Sequence, residues 1–473
     1  MSFDAAVVGS GPNGLCAAIR LARAGRSVVV YEARAWPGGA VHSEEATLPG
    51  FVHDSCSSIH PMAVGAPFLR SLNLERHGLR WVQPELPLAH PLPDGTAALL
   101  ARDLDATAAE LGGDARALRW LFGPFVDRWQ ALFDDALGPP GFPASPLLLA
   151  RFGLRAFVPA LHLGRLLFRG ERARALLAGL AGHSVLPLER APSAAIGLML
   201  GIAGLTVGWP FPRGGAGALT AALVAELQAL GGELRTGQPI ERLDELPTRG
   251  PVLFDTGPGA LARIAGEALP EGYRRRLNRY RYGPGIFKLD WALDGPIPWR
   301  DPRVARAATV HIGASDAEIA ASERAVWRGE LTERPYLIVG QHAAFDETRA
   351  PPGKAAAWGY CHVPAGCTAD ATERIEAQVE RYAPGFRERI LARRALSPAA
   401  LQARNANLVG GDVNGGAAIL SQLFTRPVAR WSPYSTPNPR LWIGSASTPP
   451  GGGVHGMCGF NAAEALLRRW PRA

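Results

Sequence analysis

The chain has 473 residues, 47% hydrophobic and 19% charged, with a formal net charge of +8. That is too long for one compact core and too apolar for disorder, so about three units, or two large interleaved ones, are expected. Fifty-five glycines and 41 prolines carry no Gly-X-Y period, which excludes collagen, and no compact basic run with interleaved aromatics speaks for a nucleic-acid partner. Every basic residue except Lys288 and Lys354 is arginine, a bias that looks genomic rather than functional. Five scattered cysteines without a CxxC pair argue against a disulfide framework or a zinc site. No signal peptide is visible at MSFDAAVVGSG, so a cytoplasmic place is the expectation.

The first element is the most telling. DAAVVG (4–9) reads as a buried parallel strand, GSGPNG as a turn, LCAAIRLARAG as a helix, and SVVVYE as a second strand. Gly9, Gly11 and Gly14 give GxGxxG: tight turn, close approach of backbone to a pyrophosphate, close packing of helix on strand. The helix N-terminus favours the phosphates. Glu32 ends the second strand 18 residues after Gly14, where it accepts hydrogen bonds from a ribose diol. Strand, helix, strand and terminal acid in register predict a dinucleotide site.

Two segments raise a membrane question. Residues 191–212 carry no charge, but prolines bound the stretch and four glycines interrupt it. About 14 helical residues reach only ~21 Å, against a ~30 Å hydrocarbon core, so a buried helix is predicted. In 146–169, Arg151, Arg155, His162, Arg165 and Arg169 fall on one helical line amid leucine and phenylalanine. A core helix with solvated arginines is the simpler reading, interfacial docking to a bilayer the sharper one. Pro159 should interrupt either.

Further on, 212–243 reads as a glycine turn, a helix and a strand ending near Ile240. GPVLFDTGPGAL (250–261) reads as a strand into a glycine turn at Gly257. Residues 439–470 read as a strand ending at Gly444, a GGGV loop with Gly453 and Val454, and a helix. Strand alternation in IFKLDWAL puts Ile286, Lys288 and Asp290 on one face, and Phe287, Leu289 and Trp291 on the other.

After Glu32, EARAWPGGAVHS supplies Arg34, Gly38, Gly39 and Ser43. This resembles the ExxxxxGG(R/A)xxS/T element of FAD flavoproteins in the amine-oxidase superfamily. FVHDSCSSIHP (51–61), FKLDWALDGPIPW (287–299) and NLVGGDVNGGA (407–417) bring the likeness closest to the phytoene-desaturase-like branch. The likeness runs over nearly the whole chain, with one departure: STPPGGG (447–453) has proline where many relatives carry histidine, so no role of that histidine transfers.

The resemblance implies an α/β fold with a Rossmann-type FAD-binding domain (1–88, 208–280 and 435–473). A discontinuous mixed-sheet and helical substrate domain (89–207 and 281–434) completes it. It implies that Gly38–Gly39 press main chain against FAD and that Arg34 reaches its phosphate or adenosine side. The GGGV loop and the C-terminal helix then meet the flavin pyrimidine. Among catalytic candidates, Lys288 resembles the amine-oxidase lysine that holds a water beside flavin N5; the plain reading is a solvated Lys288–Asp290 pair. His455 could approach the ring or cap a turn, His53 and His60 could face the cleft or be structural, and Asp412 could wall a cavity or make a turn. No hydrolase triad or metal cluster stands out.

The implied function is FAD-dependent dehydrogenation of an apolar, isoprenoid- or polyene-like small molecule. Quinone or oxygen would be the acceptor, since no second GxGxxG occurs. An amine oxidase acting on a natural-product intermediate, a redox-neutral flavin isomerase and an assembly partner that keeps flavin as structure are the alternatives.

Overall fold

In the computed structural model, residues 3–470 are described. Four short apolar runs, Ala5–Val8, Val28–Tyr31, Val252–Phe254 and Leu441–Ile443, are buried along their whole length. Unbroken apolar strands are what a parallel sheet covered on both faces requires. With Glu233–Arg235 at one edge they form a five-stranded sheet, ordered 441–443, 252–254, 5–8, 28–31, 233–235, every pair parallel. The expected strand near Ile240 is therefore shorter and earlier, and Ile240 lies in the loop that follows it. Helix Pro12–Arg23 packs between the helices Gly217–Ala229 and Met457–Leu467.

A second sheet of seven mixed strands runs in the order 390–396, 285–293, 355–363, 337–340, 307–312, 86–91, 97–100. Its two faces differ. On one, Phe287, Leu289, Trp291, Val310 and Val339 join Ile375 and Val379 of the helix Thr372–Tyr382 in an apolar core. Cross-strand register puts Lys288, Asp290, Tyr360, His362, Thr309, His311 and His90 together on the other. Helices between residues 104 and 205 roof that polar face.

The uncharged 191–212 segment is a 13-residue helix, Ser193–Leu205, mostly buried against the helix Glu171–Gly182. Its glycines serve packing: a Cβ on Gly197 would stand 2.9 Å from the Ala181 amide, and one on Gly201 would meet Phe122. No single helix among the described residues is long and apolar enough to cross a membrane. The 146–169 stripe does not form one line. It breaks before Pro159 into Pro146–Ala156 and Ala160–Leu167, set 94° apart, and Arg155 turns inward over the Trp120 ring.

Candidate functional site

One cavity of about 1320 Å³ begins at the carboxyl ends of the parallel strands and continues between the roof helices and the polar face of the second sheet. A crevice at strand carboxyl ends is where open α/β sheets bind ligands. Gly9, Gly11 and Glu32 line its first part. The Glu32 carboxylate accepts hydrogen bonds from the Ser10 amide at 3.1 Å, the Ser10 hydroxyl at 2.6 Å and the Arg34 amide at 3.0 Å. A carboxylate has about four lone-pair positions, so one remains for a ligand hydroxyl. Arg34 stands at the rim, its guanidinium on the Ala403 carbonyl. Ile240 and Gly257 line the same stretch, and Gly39, Gly453 and Val454 line the next.

Other candidates turn away. Gly14 does not line the cavity; its amide donates to Asp255 Oδ2 at 2.8 Å, and a Cβ there would collide with the Gly9 carbonyl. Gly38 packs on Thr220, and Gly444 on Ala462 of the C-terminal helix. Ser43 is a structural joint rather than a cofactor contact. Its hydroxyl donates to Asp54 Oδ1 at 2.6 Å and accepts from the Gly217 amide at 2.9 Å, tying the hairpin 43–54 to the start of a helix far along the chain.

The three catalytic candidates all have their polar atoms engaged. Lys288 is fully buried, which overturns the solvated-face reading, and it does not line the cavity. Its ammonium pairs with Asp290 and donates to the Asp54 carbonyl at 3.1 Å, behind Trp358. Burial opposes the Asp290 charge, but Lys288, His53 and Arg394 outweigh it and hold that carboxyl below its usual range. His455 lines the cavity, yet its Nδ1 accepts from the Met457 amide at 3.0 Å and its Nε2 meets the Gly451 carbonyl at 3.2 Å. Burial pushes that imidazole down to about 4, so it is a neutral cap on the C-terminal helix. Asp412 is a turn residue: its carboxylate takes the amides of Gly283 and Asn414, both at 2.7 Å. Of the two histidines after the glycine pair, His53 is spent on Thr47 and Asp290, whereas His60 faces the cavity with Nδ1 unpartnered.

The sequence reading missed Asp255 and Arg426. Asp255 follows the strand Val252–Phe254 and lies under the glycine turn, where a Cβ on Gly11 would come 2.6 Å from its carboxylate. Gly11 thus makes room for this acid as well as for a ligand. Burial, helped by the Glu32 charge and opposed by the Gly14 amide, pushes Asp255 up to about 7. An acid at the end of a strand neighbouring the dinucleotide strand was the available signal. Arg426 is a buried cation in the cavity wall; it donates to Ala446 O at 2.8 Å and has no carboxylate partner among the described residues.

Residues 7–70 match the family model of an NAD(P)-binding Rossmann-like domain. The chain is 26% identical to pyridine nucleotide-disulfide oxidoreductase domain-containing protein 2 of Mus musculus, across 98% of this chain and 93% of that protein. It is 28% identical to phytoene dehydrogenase of Streptomyces griseus, across 74% and 70%. A solved putrescine oxidase superposes with a TM-score of 0.63 at 19% identity, over 99% of this chain and all of that one. These likenesses fit an oxidoreductase similar to the phytoene dehydrogenases, with the fold of the solved amine oxidase. The mixed sheet beside a parallel dinucleotide-type sheet is the architecture those neighbours share.

The residues present fit FAD on a structural observation. In the turn 9–14, Gly9 and Gly11 bring bare main chain to the cavity, Asn13 Oδ1 is buried there without a partner, and Glu32 lines the same cavity. Glu32 and Arg34 would hold the ribose and adenosine end, the turn the diphosphate, and Gly39 with Gly453 and Val454 the ring.

Proposed function

We infer that this protein is an FAD-dependent dehydrogenase of an apolar, isoprenoid-like substrate. The observation that carries this reading is the character of the cavity beyond the glycine loops. Met199, Leu200, Trp209, Ile338 and Trp358 line it, and its candidate acid–base groups are either neutral or locked in internal pairs. When bound, FAD would accept a hydride from substrate carbon, and the proton on the neighbouring carbon, made strongly acidic by the resulting cation, would pass to water or a neutral imidazole. A hydrocarbon C–H needs orientation and exclusion of water more than it needs a base. Phe152, Met199 and Trp209 supply shape, and the roof helices exclude solvent.

The amine-oxidase alternative loses its main support with Lys288, whose ammonium is held by Asp290 away from the cavity. The likeness to putrescine oxidase speaks for the fold alone at that identity.

Entry from a bilayer supplies such a substrate, and the cavity mouth supports it. Phe142, 91% exposed, and Phe424, 73% exposed, line the opening, and Phe157 stacks on Phe424 at 6.2 Å. Leu147 and Leu154 project outward from the helix Pro146–Ala156, whose Leu149 and Phe152 line the cavity, with Arg151 exposed on the same helix. Apolar anchors beside an arginine suit an anionic lipid surface.

Purified protein tests the cofactor directly. Acid precipitation should release FAD, identified by mass, in near one-to-one yield. Protein that neither carries FAD nor takes it up would refute the reading.

A further inference from the structure

The polar face of the second sheet forms the floor of the cavity's inner part, and there the apolar lining is interrupted. Thr309 is 2% exposed, lines the cavity, and its hydroxyl has no hydrogen-bond partner. A buried hydroxyl without a partner is costly, so its survival points to a ligand that satisfies it. His183 lines the same chamber from the roof, and its Nε2 lies 2.8 Å from Nε2 of His311, two residues from Thr309 on the same strand face.

Burial keeps both rings neutral, His183 being pushed down to about 3 and His311 well below its usual value. Two neutral imidazoles sharing one Nε2–Nε2 hydrogen bond have two arrangements. His311 Nδ1 is buried with no partner. If His183 were the donor, that Nδ1 would carry an orphaned N–H, the rarer kind of unsatisfied group. With His311 as donor, its Nδ1 is a bare acceptor and His183 carries its proton on Nδ1, which makes no hydrogen bond among the described residues. The Tyr360 hydroxyl, also on this floor, makes none either.

The geometry points to a subsite for a neutral oxygen function, an alcohol or carbonyl, at one end of an otherwise apolar substrate, held by Thr309 and His183. The inference rests on the dehydrogenase reading and narrows it: the substrate is an oxygenated isoprenoid-like molecule rather than a bare hydrocarbon. A carboxylate does not suit neutral imidazoles, since a buried charge needs a charged or multiply donating partner. Thr309 and His183 are substrate-positioning residues here, and neither is asked to move a proton in the chemistry.

The test uses FAD-loaded protein and three matched probes: farnesol, the hydrocarbon lacking only its hydroxyl, and farnesoic acid. Equilibrium dialysis gives their affinities. Two neutral hydrogen bonds predict that farnesol binds about ten-fold tighter than the hydrocarbon. Thr309→Val and His183→Phe should each erode that preference while leaving hydrocarbon affinity unchanged, and Thr309→Ser should keep it. Flavin content and the hydrocarbon affinity show that each variant is folded. Equal binding of alcohol and hydrocarbon to the wild type, or tightest binding of the acid, would overturn the subsite while leaving an apolar cavity standing. Failure of all three probes to bind would overturn the apolar reading and the subsite together.

Discussion

Asp255 Oδ2 accepts the Gly14 amide at 2.8 Å directly beneath the glycine turn, so this acid braces the backbone that would carry a diphosphate. Its folded value is raised from the ordinary 3.8 to about 7, burial being the main cause. The sign follows: the stability linked to its protonated form is complete below pH 4 and lost as pH rises toward 7. Asp255→Asn should flatten that part of the stability–pH curve in urea unfolding of the FAD-free protein. An unchanged curve would mean that Asp255 is solvated.

Lys288 offers a sharper contrast. Arg394 still pairs with Asp290 at 2.8 Å once the Lys288 ammonium is gone, so Lys288→Met should cost about 1–3 kcal/mol of stability, less than leaving a wholly unpaired buried charge. Reoxidation of reduced flavin by oxygen should stay within a few-fold of wild type in whatever fraction folds, as the ammonium is engaged with Asp290. Stopped-flow reoxidation together with thermal unfolding reads both. Full stability with strongly slowed reoxidation would restore Lys288 to the flavin site.

Arg426 stands in the wall beside the loop 451–454, donating to the Gly415 and Ala446 carbonyls. Its uncompensated charge should favour the anionic reduced form of bound flavin. Arg426→Met is expected to lower the flavin reduction potential and to destabilise the chain by about 1–3 kcal/mol through the carbonyls left unpaired. Spectroelectrochemistry that finds an unchanged potential would place this cation too far from the ring to matter.

The mouth can be tested by flotation with vesicles. Wild type should float with anionic vesicles at low salt and much less with neutral ones, and Phe142→Ser combined with Leu154→Ser should abolish flotation without changing flavin content. Equal behaviour of wild type and double variant would remove the bilayer from the account.

The parallel sheet was legible because its signal is local. Glu32 and the three glycines sit within one strand–helix–strand unit, and apolar runs with nothing polar in them had to be covered on both faces. Alternation likewise assigned the faces of 285–293 correctly. What alternation lacks is knowledge of what each face meets. Lys288 reads as half of a solvated pair or as a flavin-side lysine and is neither, because the deciding neighbour, Asp54, lies 234 residues away. Ser43 was assigned to the cofactor for the same reason, since its partner amide belongs to Gly217. Thr309, His183 and Arg426 carried no motif, and only the assembled cavity wall brings them together.

Hydride removal from an apolar isoprenoid-like molecule by bound FAD is open to direct assay. Anaerobic titration of the FAD-loaded protein with long-chain isoprenoids, hydrocarbon and alcohol alike, tests it most directly. Bleaching of the flavin absorbance by at least one of them is expected, with a product two hydrogens poorer by mass spectrometry. Flavin that remains oxidised with every isoprenoid but is bleached by a primary amine such as putrescine would contradict it.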